Sequence, residues 1–351
     1  MWSQRPRRRT HMPDQGPTPG HLMELGFGFQ ASKTLLTAVE LGVFDTLAAG
    51  PKTREDIEDE LGLHPRGSED FLDALVALNV LDREDGRYRN TPATDAFLVS
   101  GKPSYIGGLL EMANDRLYGF WGNLEEALRT GRPTNELEDD QTHPFTEAIY
   151  QSDENLEQFV GAMTGLSMGV ANALAREFPW SEYETVVDLG TSEGVVPTRI
   201  AEENEHITAI GLDLPRVEPH FREFTSDSPA TDRIEFQTGD FFGTDPLPPA
   251  DVYVLGHILH DWSLDRKQEI LKKVSEAVNP GGTVIVYGTM IDEERREAEM
   301  PLLMSLNILV ETPNGFDYTP SQCVQWLHEV GFEGGEAREL PGPETMVLAR
   351  K

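Results

Sequence analysis

Apolar and polar positions follow two different rhythms along the chain, one in each half. Between Leu22 and Leu47 apolar residues recur at helical spacing, and LLTAVELGVFDTL places Leu36, Val39 and Val43 on one face. The stretch TREDIEDELGLHPRGSEDFLDALVALNVLDREDGRYRNT then reads as helix, turn, helix and a short hairpin turning at Asp85–Gly86, which is a winged-helix order. FWGNLEEALRTGRPTNELEDDQTHP carries a further helix into a polar, Pro-containing linker, and Phe145 to Phe178 reads as one or two more helices. From Thr185 onward the period changes. TVVDLG, ITAIGLDLP, RIEFQTGDFF, ADVYVLGHIL and TVIVYGTM are strand-like apolar runs, most of them separated by helical segments such as DRKQEILKKVSEAV. Such alternation predicts an α/β domain whose parallel sheet is covered on both faces. The change of period puts the domain boundary between residues 165 and 180, giving an expected tail at 1–20, a helical winged-helix-like domain at 21–170 and an α/β domain at 171–351.

Length agrees with two domains, since 351 residues exceed one typical core of about 100–200. No apolar run approaches the ~20 residues a membrane span needs. The start, MWSQRPRRRTHMPDQGPTPG, is Arg- and Pro-rich without an apolar h-region, so it reads as a disordered tail rather than a secretory signal, and a cytoplasmic protein is expected. A single cysteine, Cys323, excludes an internal disulfide and a Cys-based zinc cluster. Net charge is -32, and only seven of the 29 basic residues are Lys, a balance that suggests a halophilic, salt-adapted source. A chain this acidic repels phosphate backbones and anionic lipid heads, so neither nucleic acid nor membrane is expected as a partner. The second helix of the winged-helix pattern, PRGSEDFLDALVALNVL, is itself acidic, which gives that domain a structural role. Apolar faces in residues 22 to 47 and in YIGGLLEMANDRLYGFWGNL exceed what one small helical domain can cover, and they predict a homodimer.

In open α/β sheets, ligands bind beyond the carboxyl ends of the strands. The first strand ends VVDLGTSEG, where Asp188, Gly190 and Gly194 bracket a tight turn into a helix. The second ends in Asp213, placed to accept hydrogen bonds from both hydroxyls of a ribose. The third ends GDFF, offering Gly239, Asp240 and Phe241, the last two for an exocyclic amine and for stacking on a base. Asp240 could equally cap the next helix. Together and in this order they indicate an adenosine site. G-x-G-x-x-G is absent, and Glu193 would repel a pyrophosphate, so S-adenosylmethionine fits better than a nicotinamide dinucleotide. The fourth strand ends VLGHILHDWS, where His260 is either a general base or a core histidine bonded to Asp261. His257 and His260 form an H-x-x-H pair, but strand geometry would point them to opposite faces if both lay on the strand, so no metal site is expected.

VVDLGTSEG, GLDLPRVEP, GDFF, GHILHDW, NPGGTVIVY and GFDYTPSQC resemble the class I S-adenosylmethionine-dependent methyltransferases, and within them the small-molecule O-methyltransferases that include caffeic acid, acetylserotonin and polyketide methyltransferases. The resemblance runs from about residue 20 to the end. It implies a Rossmann-like sheet behind an N-terminal helical winged-helix dimerisation domain, with S-adenosylmethionine as cofactor. Position by position, it makes Gly190, Asp213, Gly239, Asp240 and Phe241 cofactor contacts and His260 the general base, with Asp261 and Trp262 completing the motif. Asp317 matches a flanking acid. A second flanking acid of the family is replaced by Gly288, and its usual lysine at the cofactor by Gly256. Met163 matches a methionine at the methyl and substrate region. Substrate-lining positions are expected at Met163, Trp262, Met304, Asn307 and Ile308, together with Met300, and Asn307 could bond a substrate oxygen.

The reaction so implied is methyl transfer to a hydroxyl of a small aromatic molecule. An imidazole of ordinary pKa, near 6.5, would take the proton while Asp317 holds its tautomer and Asp261 turns away to cap a helix or tie the loop. The other reading is an S-adenosylmethionine-binding dimer that does not transfer methyl groups.

Overall fold

The computed structural model describes residues 18–102, 104–135, 149–150 and 152–351. The expected tail before residue 18 and most of the expected linker at 131–144 lie outside the described residues. Two compact units divide between Asp115 and Arg116. That division differs from the boundary expected near residue 170. The physical reason lies in the helix Asp153–Glu177, whose buried Val170, Ala171 and Leu174 share a core with Val195, Val196 and Ile200 of the helix Val195–Glu203 in the second unit, while Leu156 and Val160 pack with Val217 of the same unit. Helical periodicity announced the element but not its partner.

In the first unit, β1 (Lys52–Thr53), β2 (Leu81–Glu84) and β3 (Arg87–Asn90) form a small sheet in the order β1-β3-β2. Asp85 and Gly86 join β2 to β3 with both φ angles positive, 49° and 75°, as a two-residue hairpin turn of the primed kind requires. The helix Arg54–Leu61 begins at a capping box, in which the Thr53 hydroxyl accepts from Asp56 N–H and the Asp56 carboxylate accepts from Thr53 N–H. Leu36, Val39 and Val43 are all buried, as their spacing required. Leu22, Leu25, Phe27 and Phe29, by contrast, are at least half exposed, at 70, 67, 50 and 54%.

The second unit is built on seven strands: β4 (Thr185–Leu189), β5 (Thr208–Asp213), β6 (Ile234–Thr238), β7 (Ala250–Gly256), β8 (Val278–Gly288), β9 (Glu333–Glu339) and β10 (Thr345–Arg350). Their order is β6-β5-β4-β7-β8-β10-β9. The run from β6 to β8 is parallel, whereas β10 is antiparallel to both β8 and β9. Successive residues serve opposite faces, Val186 and Val254 in one apolar layer and Val187 and Leu255 in the other. β9 departs from the apolar rule because it is an edge strand, with every residue of EGGEARE exposed. Strand order reverses between β4 and β7, which opens a crevice at their carboxyl ends.

Candidate active site

The loop after β4 carries its backbone through the left-handed region at Gly190 (φ 74°), Ser192 (φ 54°) and Gly194 (φ 86°). At Gly190 a Cβ would stand 2.4 Å from Cδ1 of Ile258, so any side chain there would have to displace the end of that residue as well as accept a left-handed backbone. Ser192 is a non-glycine in this region, and its N–H donates to Oδ2 of Asp213 at 2.9 Å, which pins the loop to the end of β5. Oδ1 of Asp213 accepts from Leu214 N–H at 2.7 Å. Burial raises the Asp213 carboxyl to about 6 against the pull of these two N–H groups. Asp188 behind it is raised to about 7, first by burial, while the Thr191 hydroxyl opposes the shift and the charge of Asp213 adds to it.

At the end of β6, Gly239 N–H donates to the Asp213 carbonyl at 2.9 Å. Asp240 is exposed, and its Oδ1 accepts from Phe242 N–H at 2.8 Å, so it also serves the local turn. Phe241 packs against Phe242 (4.8 Å between ring centroids) and Trp262 (6.1 Å), while Phe242 and Trp262 meet at 4.5 Å. The structure therefore brings Gly190, Asp213, Gly239, Asp240 and Phe241 to adjoining strand ends. A carboxylate with lone pairs to spare, a glycine-bearing loop and an aromatic cluster suit an adenosine without phosphates, and Glu193 in the same loop suits it too. Sequence reasoning missed Tyr150, whose phenol is pushed well above its usual range by burial and then by the charges of Asp213 and Asp261.

Past β7 the chain leaves strand geometry at His257 (φ 55°) and makes a short turn, Leu259–Asp261. Neither histidine lies on the strand, so the condition under which they would point to opposite faces is not met, and their ring centroids are 5.8 Å apart. No group of three or more His, Cys, Asp or Glu with metal-holding geometry occurs among the described residues. Nδ1 of His260 lies 3.3 Å from Oδ1 of Asp317, the partner expected to hold the tautomer. On the other side, Oδ1 of Asp261 stands 3.7 Å from Nε2. Asp261 thus faces the imidazole rather than turning away, and the helix Leu264–Ala277 is capped by the Ser263 hydroxyl instead. Burial lowers the proton affinity of His260, but the charge of Asp261 and the bond and charge of Asp317 outweigh it, raising the pKa to about 9. That corrects the expectation of an ordinary imidazole. Asp261 is itself raised to about 7, chiefly by burial.

The two glycine departures have distinct surroundings. At Gly256 a Cβ would stand 2.1 Å from Cζ of Tyr287, whose ring fills that space. At Gly288 the nearest atom to a Cβ would be Nδ1 of His257, at 3.9 Å. His257 in turn has its Nε2 3.5 Å from Oε2 of Glu344, a buried acid that no sequence signal singled out. Burial, and then His260, depress His257 to about 3, whereas burial raises Glu344 to about 7.

The helix Glu299–Glu311 runs beside the His260 turn, with Met304 half-buried and Ile308 buried. Met163 is half-buried one helical turn beyond Val160, whose carbonyl accepts from the Ser192 hydroxyl at 3.4 Å. Met300 is 54% exposed. Asn307 departs from its expected role: Oδ1 accepts from Trp121 Nε1 at 2.9 Å, and Nδ2 donates to Glu311 at 3.2 Å, so both ends of the amide serve the scaffold. Glu311 also pairs with Arg116 at 3.1 Å.

With this geometry in view, comparison with known proteins is specific. A family model for the O-methyltransferase domain matches residues 121–333, and one for the O-methyltransferase dimerisation domain matches residues 23–100. The tetracenomycin polyketide synthesis 8-O-methyl transferase of Streptomyces glaucescens is 41% identical over 95% of this chain and 97% of its own. An N,N-dimethyltransferase of Streptomyces rimosus is 38% identical over 77% of this chain and 78% of its own. The crystal structure of human N-acetylserotonin methyltransferase in complex with S-adenosylmethionine superposes with a TM-score of 0.87 at 30% identity, covering 97% of this chain and 99% of that one. Family matches, full-length relatives and the strand-end geometry agree, and the chain belongs to the S-adenosylmethionine-dependent O-methyltransferases.

Proposed function

We propose that the chain methylates a hydroxyl of a small aromatic, polyketide-like molecule, with His260 as the general base. The observation that carries this reading is the His260–Asp317 pair, 3.3 Å apart, set beside the strand ends that bear Asp213 and Asp240. When bound, S-adenosylmethionine supplies an electrophilic methyl group on a sulfonium. Asp213, the loop of Gly190 after β4 and the turn of Gly239, Asp240 and Phe241 after β6 would hold it. Asp317 accepts from Nδ1–H of His260, which leaves Nε2 to take the proton of the attacking hydroxyl. Asp261, beside Nε2, stabilises the imidazolium that results. Met163, Trp262, Met304 and Ile308 supply an apolar lining suited to a planar ring system, in keeping with the polyketide named for the Streptomyces glaucescens relative.

In this reading the first unit carries the dimerisation helices, and the exposed Leu22, Leu25, Phe27 and Phe29 meet a second copy of the chain. The chain works in a salt-rich cytoplasm, a reading supported by its charge of -32. The test is transfer of label from methyl-labelled S-adenosylmethionine to a panel of phenols, hydroxylated polyketides and aromatic amines. Label on phenolic oxygen supports the reading. Label on nitrogen alone would replace it with the chemistry named for the Streptomyces rimosus relative.

A further inference from the structure

The helix Leu264–Ala277 buries Ile270, Leu271 and Val274, and the same stripe begins one turn earlier with Lys267, which is fully buried. A buried ammonium is costly unless it is bonded and paired. Nζ of Lys267 donates to the Phe316 carbonyl at 2.7 Å and stands 3.2 Å from the centroid of the Phe316 ring, with the Tyr318 and Trp326 rings at 5.4 and 5.6 Å. Phe316 N–H is committed to the His260 carbonyl at 2.8 Å. The segment that presents Asp317 is therefore gripped twice, by the backbone of His260 and by Lys267.

Charge decides which part of the contact matters. Lys267 is faced by Asp317, Asp261 and the Cys323 thiol; burial lowers it to about 7, and the two carboxylates oppose that shift. His260 is faced by Asp261, Asp317 and Lys267, with His257 and Glu344 on its other flank, while Glu311 acts on Asp261. Lys267 therefore loses its charge before His260 does, and what it keeps across the range in which His260 acts is the bond to the Phe316 carbonyl.

We propose that Lys267 is a positioning residue for His260: by holding the Phe316 carbonyl it fixes the Phe316–Asp317 segment, and with it the carboxylate that orients the imidazole. The proposal rests on the reading of His260 as base.

The test uses the full chain with Lys267→Met, which removes charge and donor, and Lys267→Gln, which keeps a donor. The His260 ring is titrated by proton NMR in cofactor-free protein, its resonance identified by its loss in His260→Gln. Turnover against pH and melting temperature are measured alongside. Both Lys267 variants are expected to loosen Asp317 and so lower the His260 titration by about 0.5–1 unit, moving the acidic limb of turnover downward equally. Lys267→Met should lose about tenfold in kcat and Lys267→Gln less, since the amide still holds the Phe316 carbonyl. An unmoved His260 titration, with only the melting temperature changed, overturns the proposal, and so does failure of both variants to fold. Retained turnover in His260→Gln would overturn the base reading instead.

Discussion

His260 and Asp317 are joined twice, through Nδ1 and Oδ1 at 3.3 Å and through the backbone, where the His260 carbonyl accepts from the residue preceding Asp317 at 2.8 Å. The side-chain contact is thus set by the same turn after β7 that carries His260. His260→Gln should leave fold and cofactor binding intact and lower turnover by about 10²–10⁴, the usual range for a positioned acid–base group. Asp317→Asn keeps shape but removes the charge that orients the ring, and should cost less. Full turnover in His260→Gln, with melting temperature as the control, would exclude the base role.

A base raised to about 9 is protonated at neutral pH, so turnover should climb through pH 7 to 9 rather than reach a plateau near 7. The check is a kcat profile from pH 6 to 10 at constant high salt. A flat profile above pH 7 would contradict the strong hold of Asp261 and Asp317.

Stability should move the other way at lower pH. Asp188, Asp261 and Glu344 are raised to about 7 and Asp213 to about 6, so the stability they contribute is complete below about 4 and is lost as pH rises through those values. His257, depressed to about 3, opposes them as a single group. Above pH 7 the losses from His260 and the gains from Lys267 offset one another. Denaturation of the cofactor-free protein is therefore expected to show stability falling from pH 4.5 to 7 and then levelling. A rise across that first interval would be the contrary result.

Asp213→Ala removes an acceptor from the cofactor site and also unpins Ser192. Binding of S-adenosylmethionine should weaken by roughly 1.5–3 kcal/mol per charged hydrogen bond lost, as read by calorimetry. Unchanged affinity would move the ribose contact elsewhere.

The two glycines should respond differently to a methyl group. Gly256→Ala meets the Tyr287 ring and is expected to destabilise by about 1–3 kcal/mol, while Gly288→Ala has room and should be nearly neutral. Equal melting temperatures for the two would mean that Tyr287 yields freely.

Much of this site was legible because strand ends announce themselves: an apolar run stops and Asp213, Asp240 or His260 follows. Periodicity also marked the buried face around Leu36 and the parallel strands. It was silent on β9, whose residues are all exposed, and on the allegiance of the helix Asp153–Glu177, because amphipathic spacing names a face without naming what covers it. Glu344 and Tyr150 were missed for a similar reason. Their meaning comes from neighbours distant in sequence, His257 for one and Asp213 and Asp261 for the other. The scaffold bonds of Asn307 to Trp121 and Glu311 were not legible, because neither partner sits on a motif. Lys267 could have been found, since a lysine three and four residues before Ile270 and Leu271 breaks an apolar stripe.

The exposed strand β9 has one more consequence. An unpaired strand edge is a template on which another chain can add itself, and this one bears Glu333, Glu336 and Glu339 along seven residues. Copies that approach edge to edge bring like charges together along a row, and the repulsion fades as salt rises. The acidity of this edge therefore guards it least where salt is highest, leaving its glycines, Gly334 and Gly335, with positive φ of 77° and 128°, to spoil the flat register that a growing sheet would need.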